Sequence, residues 1–415
     1  MKKTLAWSVT TVAALALSVG TALPSQASPG PSSPSAKYLN AKSNVSAKDQ
    51  ATIDRIMKRL PANWETRRDN VLKKHNIEAS PVQDVLKAKV ANVINPGDYE
   101  CGPTKLDAYV DSILKDVDPG NLFLLSILGA LDFPTYDSLI YGTSKGADYQ
   151  LPAAYKAPLT TTFGYAQRFW DVRLNDVQLM AMHGSMITDP VRVARMVTLF
   201  YGLEGQDAID MANDIISVVK GDAGLQNGEN PIFTLNAFAF SAVGETDPVF
   251  KNLKDKMIFG DGILAALKGI GLNQVGPKAV LGHEMSHHVQ YEDNLFDSDL
   301  TGPEATRRTE LMADAFGTYF VTHKKGLGLG PNQVLQAQQS FYDVGDCQFD
   351  SSGHHGTPNQ RRAASAWGAA VVAASNNPNK VLPSMSLDKK FEKVLPQLVA
   401  PDAPTSVKAY MSVAK

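Results

Sequence analysis

The chain has 415 residues, of which 44% are hydrophobic and 20% charged. This composition is typical of a soluble globular protein. The length is enough for one large domain or two ordinary ones. The formal net charge of −2 and the absence of a long basic run argue against nucleic-acid binding.

The N-terminus has the pattern of a secretory signal peptide. Residues 1–3 give a short positive start, residues 5–19 are mostly apolar, and Ser25-Gln26-Ala27 supplies the small-x-small pattern that signal peptidase recognises. The apolar run is too short and too rich in Ser and Thr for a retained membrane span. We therefore expect cleavage after residue 27 and export to the periplasm or the cell exterior, with no membrane span in the mature chain.

Residues 28–95 are predicted to precede the main domain. Residues 28–36 are rich in Pro and Ser, which favours a disordered leader, and residues 47–93 show helical periodicity punctuated by prolines. The helical part can be a separate subdomain or a propeptide, and the sequence leaves both open. We place the main domain at residues 96–400 and a polar tail at 401–415.

Helices dominate the predicted elements of the main domain. Their apolar periodicity and Pro or Gly punctuation favour helices over 105–115, 190–220, 277–291, 303–323, 333–342 and 359–374. The alternation over 233–240 favours a strand.

The chain contains two cysteines, Cys101 and Cys347. In an exported protein, an even pair is best interpreted as one disulfide, which here closes a long loop. Free thiols and zinc ligands are the alternatives. Neither cysteine has a CxxC partner, so a Cys-rich zinc site is disfavoured.

Residues 283–287 read His-Glu-Met-Ser-His, an HExxH motif. On a helix, positions i and i+4 share a face, so His283 and His287 can both reach one Zn²⁺ ion at the usual distance of about 2.0–2.1 Å. Glu284, beside the first histidine, can act as the general base on the zinc-activated water. His288 points away from this face and is interpreted as a surface histidine or one that lies behind the ligands.

A catalytic zinc ion needs three protein ligands and one open position. The metzincin pattern with a third histidine is absent, because positions 290 and 293 hold Gln and Asp. Glu310 and Asp314 are four residues apart on the next predicted helix, so their carboxylates share a face. Glu310 is the candidate third ligand, and Asp314 can accept a hydrogen bond from the far nitrogen of a ligand histidine. The apolar residues around them argue against an ordinary exposed acidic pair.

HExxH followed by a helical ExxxD resembles the pattern of the gluzincin clan of zinc peptidases. The chain is more closely similar to the neutral zinc metallopeptidase family, which has an HExxHHxQ-like helix, an ELxAD-like helix and a late GD...HGxxxQR segment. The corresponding segments read HEMSHHVQ (283–290), ELMADAFG (310–317), Gly345-Asp346 and HGTPNQR (355–361). The resemblance covers residues 275–370 and implies a zincin fold with one catalytic zinc ion.

Asn236-Ala237-Phe238-Ala239 resembles the NAF-type edge strand of thermolysin-like and CAAX-prenyl-protease-like gluzincins. In those enzymes the exposed strand backbone pairs with an extended peptide substrate, which is β-augmentation. The resemblance implies substrate-binding roles for Asn236 and Ala237. The alternative is an ordinary core strand that follows an Asn turn.

The segment 353–358 (Gly-His-His-Gly-Thr-Pro) is a predicted loop that precedes a helix. A histidine on such a loop can donate to the oxyanion that forms when hydroxide attacks a carbonyl. The resemblance to HGxxxQR points to His355, with His354 as the alternative, and a polar surface loop is the competing interpretation. Arg361 could orient this loop or pair with a carboxylate near the metal.

Together these features predict an α+β, helix-rich, zincin-like domain with a small sheet whose edge strand lies beside the active-site helix. The predicted function is an exported metallopeptidase with one Zn²⁺ per chain that cleaves peptide or protein substrates as an endopeptidase. Glu284 is the predicted base and His355 the predicted oxyanion donor. The alternative is a non-catalytic, exported zinc-binding or chaperone-like module. The intact Glu284 favours the enzyme, since structural zinc needs no base there.

Overall fold

Helices make up most of the described part of the chain, as the sequence periodicity predicts, and several of them pack against one small sheet. The structure is a computed structural model that describes residues 47–73, 104–343 and 355–415, all of which lie within one unit, Asn44–Lys415. The predicted signal peptide and leader, both cysteines and His354 lie outside the described residues. The broad α+β class is confirmed.

The first half of the described chain is mainly helical. Its helices are α1 (Ala47–Arg59), α2 (Trp64–Lys73), α3 (Lys105–Leu114), α4 (Pro119–Leu128), α5 (Phe133–Tyr141), α6 (Ala153–Phe169), α7 (Pro190–Tyr201) and α8 (Gly205–Gly221). The single helix predicted over 190–220 is two helices, because Gly202 adopts a left-handed φ of 73° that ends α7. In the described ranges no single helix is long and apolar enough to cross a membrane; only the bent pair Pro119–Leu128 and Ala130–Tyr141 reaches that length and composition together.

The helices α1 and α2 belong to the region interpreted as a subdomain or a propeptide. α1 packs against α8 and α2 against α7, and Ile53 and Ile56 of α1 are buried. The described part of this region is therefore packed into the same unit as the helices that carry the HExxH and ExxxD motifs.

Three short strands form one mixed sheet in the described part of the chain. They are β1 (Gln178–Met182), β2 (Ala237–Phe240) and β3 (Lys256–Gly260), in the spatial order β1-β3-β2. β1 runs parallel to β3, whereas β2 runs antiparallel to it, with Ala237 opposite Phe259 and Phe240 opposite Lys256. β2 is thus an edge strand of this sheet, and it packs against the helix that carries the HExxH motif.

The strand predicted over 233–240 begins later than expected. Pro231–Thr234 forms a 3-10 turn, because the Asn230 side chain caps it by accepting a hydrogen bond from the Ile232 N–H. β3, which the sequence analysis missed, is buried at every position and so lacks the polar alternation that marks a half-exposed strand.

The second half of the described chain contains the helices that build the candidate site. They are α9 (Asp261–Gly269), α10 (Gly276–Asp293), α11 (Pro303–Thr322), α12 (Pro331–Asp343), α13 (Pro358–Ala373), α14 (Ser384–Leu398) and α15 (Val407–Tyr410). The four helices predicted between 277 and 374 match α10 to α13 to within two residues at each end. A proline in the first turn of each of these four helices pre-sets a helical φ.

α11 lies at the centre of this second half and packs against α10, α12, α13 and α14. The sequence suggested an amphipathic α10, but residues 281–290 are buried all the way round the helix. The reason is that α6, β2, α11 and α12 cover it on several sides. Polar groups in a helix buried in this way must find partners inside the protein.

Residues 401–415, predicted as a polar tail, contain the short helix α15, which packs against α13. Ala403, Tyr410 and Ala414 are buried in the same core cluster as the centre of α11. Apolar side chains spaced through this mostly polar segment therefore attach it to the domain.

Candidate metal centre

The two histidines of the HExxH motif face one another on α10. The i, i+4 spacing puts their rings one turn apart, and the two Nε2 atoms are 3.0 Å from each other. His283 is 6% exposed and His287 0% exposed. Two ring nitrogens are therefore directed at one small, almost fully enclosed volume.

α11 brings a carboxylate to the same point. Glu310 Oε2 lies 3.5 Å from His283 Nε2, and Glu310 Oε1 lies 3.7 Å from His287 Nε2. Each of the three residues offers one ligand atom within 4.8 Å of the others, so the group could hold a metal ion. Tetrahedral ligands at about 2.0–2.1 Å from zinc are about 3.3–3.4 Å apart, which is close to the three observed separations.

Glycines explain how the two helices come close enough. A Cβ built on Gly317 of α11 would lie 2.8 Å from the His283 backbone nitrogen and 2.9 Å from the Gly282 carbonyl carbon. On the other side of α11, a Cβ on Gly368 of α13 would lie 2.1 Å from the Ala315 carbonyl oxygen. The missing side chains let both neighbouring helix backbones approach α11 directly.

The far nitrogen of His283 faces a carboxylate, as the sequence analysis expected of Asp314. Asp314 Oδ1 is 2.9 Å from His283 Nδ1. Arg361 of α13 donates to both Asp314 oxygens, at 2.7 and 2.8 Å, and one of its nitrogens lies 3.4 Å from Glu310 Oε2. Of the two roles considered for Arg361, the structure therefore shows pairing with carboxylates beside the metal ligands.

The partner of His287 was not predicted. In the sequence, Gln290 stood out only as a position that lacks a third histidine. In the structure its Oε1 lies 2.8 Å from His287 Nδ1, and its Nε2 donates to the Thr309 carbonyl oxygen at 2.8 Å. The i, i+3 spacing between His287 and Gln290 could have indicated this contact, because residues three apart are neighbours on a helix.

The charges of the cluster favour an added cation. Burial by itself lowers the pKa of His283, but hydrogen bonds and charge interactions with Asp314 and Glu310 outweigh it and raise that pKa to about 10. Burial by itself raises the pKa of Glu310, but the charge of His355 and the contacts with the two ring nitrogens hold it well below its usual value. The raised pKa of His283 shows that Asp314 and Glu310 stabilise positive charge at this point, where a divalent ion would take the place of the proton.

The two predicted catalytic side chains are both buried. Glu284 is 4% exposed and His355 is 2% exposed. His355 lies close enough to Glu310 to be the largest charge that lowers the pKa of that carboxylate. Just beyond it, Thr357 and Gln360 form a capping box that starts α13 and so positions Arg361.

Aromatic rings flank both ligand histidines. The Phe341 ring of α12 is 5.7 Å from the His283 ring, and the Phe296 ring is 6.4 Å from the His287 ring and nearly parallel to it. Phe341 is buried, whereas Phe296 is half-buried. These rings restrict the orientations of the imidazoles and give the site an apolar wall.

The residues proposed to bind substrate lie at the start of the edge strand. Asn236 is buried and its carbonyl accepts a hydrogen bond from the Gly260 N–H at 2.8 Å, while Ala237 is half-buried and begins β2. The structure thus places them at an edge of the sheet that packs on α10. Their role in substrate binding stays a prediction.

His288 points away from the cluster, as expected, but it is not on the surface. It is 1% exposed, and its Nε2 is 3.1 Å from the Lys256 carbonyl oxygen of β3. Because a carbonyl oxygen can only accept, His288 Nε2 carries the proton in this contact. The residue therefore links α10 to the sheet.

Comparisons with protein-family models, with curated proteins and with solved structures found no match to this chain. The resemblance to zinc peptidases consequently rests on the motifs, and the metal centre rests on the geometry described above.

Proposed function

We propose that this chain is an exported zinc metallopeptidase of the gluzincin type that cleaves internal peptide bonds. The observation that carries the proposal is the convergence of His283, His287 and Glu310, from two helices, on one buried point. Glu284 directly follows the first of these ligands in the sequence, at the position that a peptidase base occupies in an HExxH helix.

The ligand set favours zinc in a catalytic role. Two imidazoles and one carboxylate are a recognised catalytic zinc set, whereas structural zinc sites usually have four protein ligands. Among the described residues, the cluster contains three ligand groups, which leaves one position for water or substrate. A Zn²⁺ ion bound there would polarise the scissile carbonyl and lower the pKa of water at the open position.

The protein side chains supply the proton transfers. The Glu284 carboxylate accepts a proton from the attacking water and afterwards donates it to the leaving amine nitrogen. His355 donates an N–H to the oxygen that becomes negatively charged. Asp314 and Gln290 hold the two ligand rings from behind, and Arg361 balances the buried carboxylates.

The edge strand supports an extended substrate. β2 is an edge of the sheet and packs on α10, and Asn236 and Ala237 are at its start. A peptide that pairs with such an edge binds mainly through its backbone, which favours action within protein chains over recognition of a terminus.

The proposal is tested with the exported protein purified with its metal. We expect about one zinc ion per chain by elemental analysis, and casein digestion that a chelator abolishes and added zinc restores. In E284Q we expect zinc content to be unchanged and the rate to fall by about 10²–10⁴-fold, because the base is lost. E292Q, which neutralises an exposed carboxylate on the same helix, is the matched control and should keep its activity.

Two results would contradict the proposal. A protein that retains no divalent metal would exclude the zinc site. Zinc-loaded wild type and E284Q that are equally inert on a range of unfolded proteins would favour a non-catalytic binding module. N-terminal sequencing of the exported protein tests the signal peptide separately, with Ser28 expected as the first residue unless a propeptide is also removed.

A further inference from the structure

We infer that Gln290 is a positioning residue that sets the tautomer of His287 and ties this ligand to the helix that carries Glu310. The inference rests on the proposed zinc site and adds a residue to it. Gln290 is 0% exposed, and its amide spans from the His287 ring to the Thr309 backbone, with both contacts at 2.8 Å.

The hydrogen-bond partners determine which way the amide faces. The Thr309 carbonyl oxygen can only accept, so the NH₂ group of Gln290 must face it. Gln290 Oε1 then faces His287 Nδ1, and because an amide oxygen can only accept, Nδ1 must carry the proton. In the neutral ring this leaves the lone pair on Nε2, the atom that faces His283 and Glu310.

The same amide joins the two ligand helices. Thr309 directly precedes Glu310 on α11, so the bond from Gln290 ties the backbone beside the third ligand to the side chain behind the second one. Asp314 makes the reverse connection, from α11 to His283 on α10. Gln290 thus holds His287 and also contacts α11, while Asp314 holds His283 and also contacts α13.

The two connections differ in charge. His283 faces a carboxylate that is paired with Arg361, whereas His287 faces a neutral amide. A carboxylate at position 290 could still accept the Nδ1–H, but its second oxygen would meet the Thr309 carbonyl, acceptor against acceptor. Substitution by Glu therefore separates the tautomer role from the connection between the helices.

The test compares two variants of the full exported chain. Q290M is similar in length, but its thioether cannot donate to Thr309 and is only a weak acceptor for the ring N–H, while Q290E keeps only the contact with the ring. The proteins are stripped of metal, and Zn²⁺ affinity is measured by competition with a chromophoric chelator. The matched control is Q167M, because Gln167 on α6 also donates to a backbone carbonyl, that of Leu174 at 2.8 Å, away from the metal ligands.

We expect Q290M to bind Zn²⁺ about 10–100-fold more weakly than wild type, which is the usual effect of removing a hydrogen-bond partner of a ligand histidine. Q290E should lose clearly less, and Q167M should bind as wild type does. If Q290M fails to fold by circular dichroism, Q290E decides: affinity within about tenfold of wild type supports the inference, and a larger loss overturns it.

The outcomes separate this inference from the proposed function. If Q290M and Q290E bound Zn²⁺ with equally reduced affinity, Gln290 would only connect the two helices and its role in setting the tautomer would be overturned. The proposed zinc site would be unaffected by that result. Wild-type affinity in Q290M would overturn the whole inference. A wild-type protein that binds zinc as described but digests nothing would refute the peptidase and leave the role of Gln290 supported. A wild type that binds no zinc would refute both.

Discussion

Alanine substitutions at Gly282 and Gly317, where α10 and α11 are in contact, should have different effects on stability and on zinc affinity. A Cβ added at Gly317 would meet backbone atoms of α10 at 2.8 and 2.9 Å, whereas a Cβ added at Gly282 would have its nearest contacts at 3.2–3.3 Å, two of them with side chains. Carbon atoms pack at about 3.5–4.0 Å. In G317A the helices must therefore separate by about 0.6 Å or more, while in G282A shifts of a few tenths of an ångström suffice.

The expected energies follow from this difference in clearance. Both variants gain about 1 kcal/mol of helix propensity, because both glycines lie in helix interiors. Overpacking in G317A costs about 1–3 kcal/mol, and the propensity gain is common to both variants, so G317A should be about 1–3 kcal/mol less stable than G282A. Metal geometry tolerates about 0.2 Å, so a separation of about 0.6 Å should also lower the zinc affinity of G317A by at least about tenfold.

Urea unfolding of the metal-free proteins and chelator competition for Zn²⁺ measure the two effects. G282A is the matched control, since it makes the same substitution at the same helix crossing. Equal stability and equal zinc affinity of G317A and G282A would contradict this prediction. That result would mean that the close backbone contact does not determine where Glu310 lies.

Two further perturbations have defined outcomes. D314N should lower the free energy of unfolding by about 3–5 kcal/mol, because it removes the closer of the two carboxylates that pair with the buried Arg361 guanidinium; a loss below about 1 kcal/mol in urea unfolding would show that the pair is not significant. H183Q should destabilise most in acid. His183 lies 2.7 Å from Asp261 and 3.1 Å from the Gln150 carbonyl, two acceptors, and the hydrogen bond to Asp261 raises its pKa above the usual value despite burial. A raised folded-state pKa contributes stability that is complete below about pH 6.5 and is lost as pH rises through the folded value. The stability gap between wild type and H183Q should therefore narrow from about pH 5.5 to about pH 9 in urea unfolding, and a gap that widens with pH would contradict this assignment.

Local patterns carried much of the information about the half of the chain that contains the candidate metal site. The spacing of His283 and His287, and of Glu310 and Asp314, places each pair on one helix face by helical geometry alone. Proline in the first turn of each helix and apolar periodicity along it also made α10 to α13 predictable to within two residues at each end. The strand predicted over 233–240 was correct in type, but the observed strand starts only at Ala237, because a 3-10 turn capped by Asn230 occupies residues 231–234.

Features that depend on distant partners were missed. Nothing in the residues around Gln290 says that Thr309 will accept from its amide, because that bond joins two helices. Likewise, the burial of α10 on all sides and of Tyr410 near the C-terminus depends on elements that are far away in sequence. β3 escaped prediction since a fully buried strand has no alternation to detect.

Helical periodicity in the sequence fixes which side chains share a helix face, and therefore which residues could be metal ligands. Whether the two faces meet depends on how the helices pack. The physical reason is that ligand distances depend on the separation of helix backbones, which Gly317 and Gly368 allow to be small, and on cross-helix contacts such as those of Gln290 and Asp314. Helical periodicity sets the order of side chains along one axis, but the distance between two axes is set only by what packs between them.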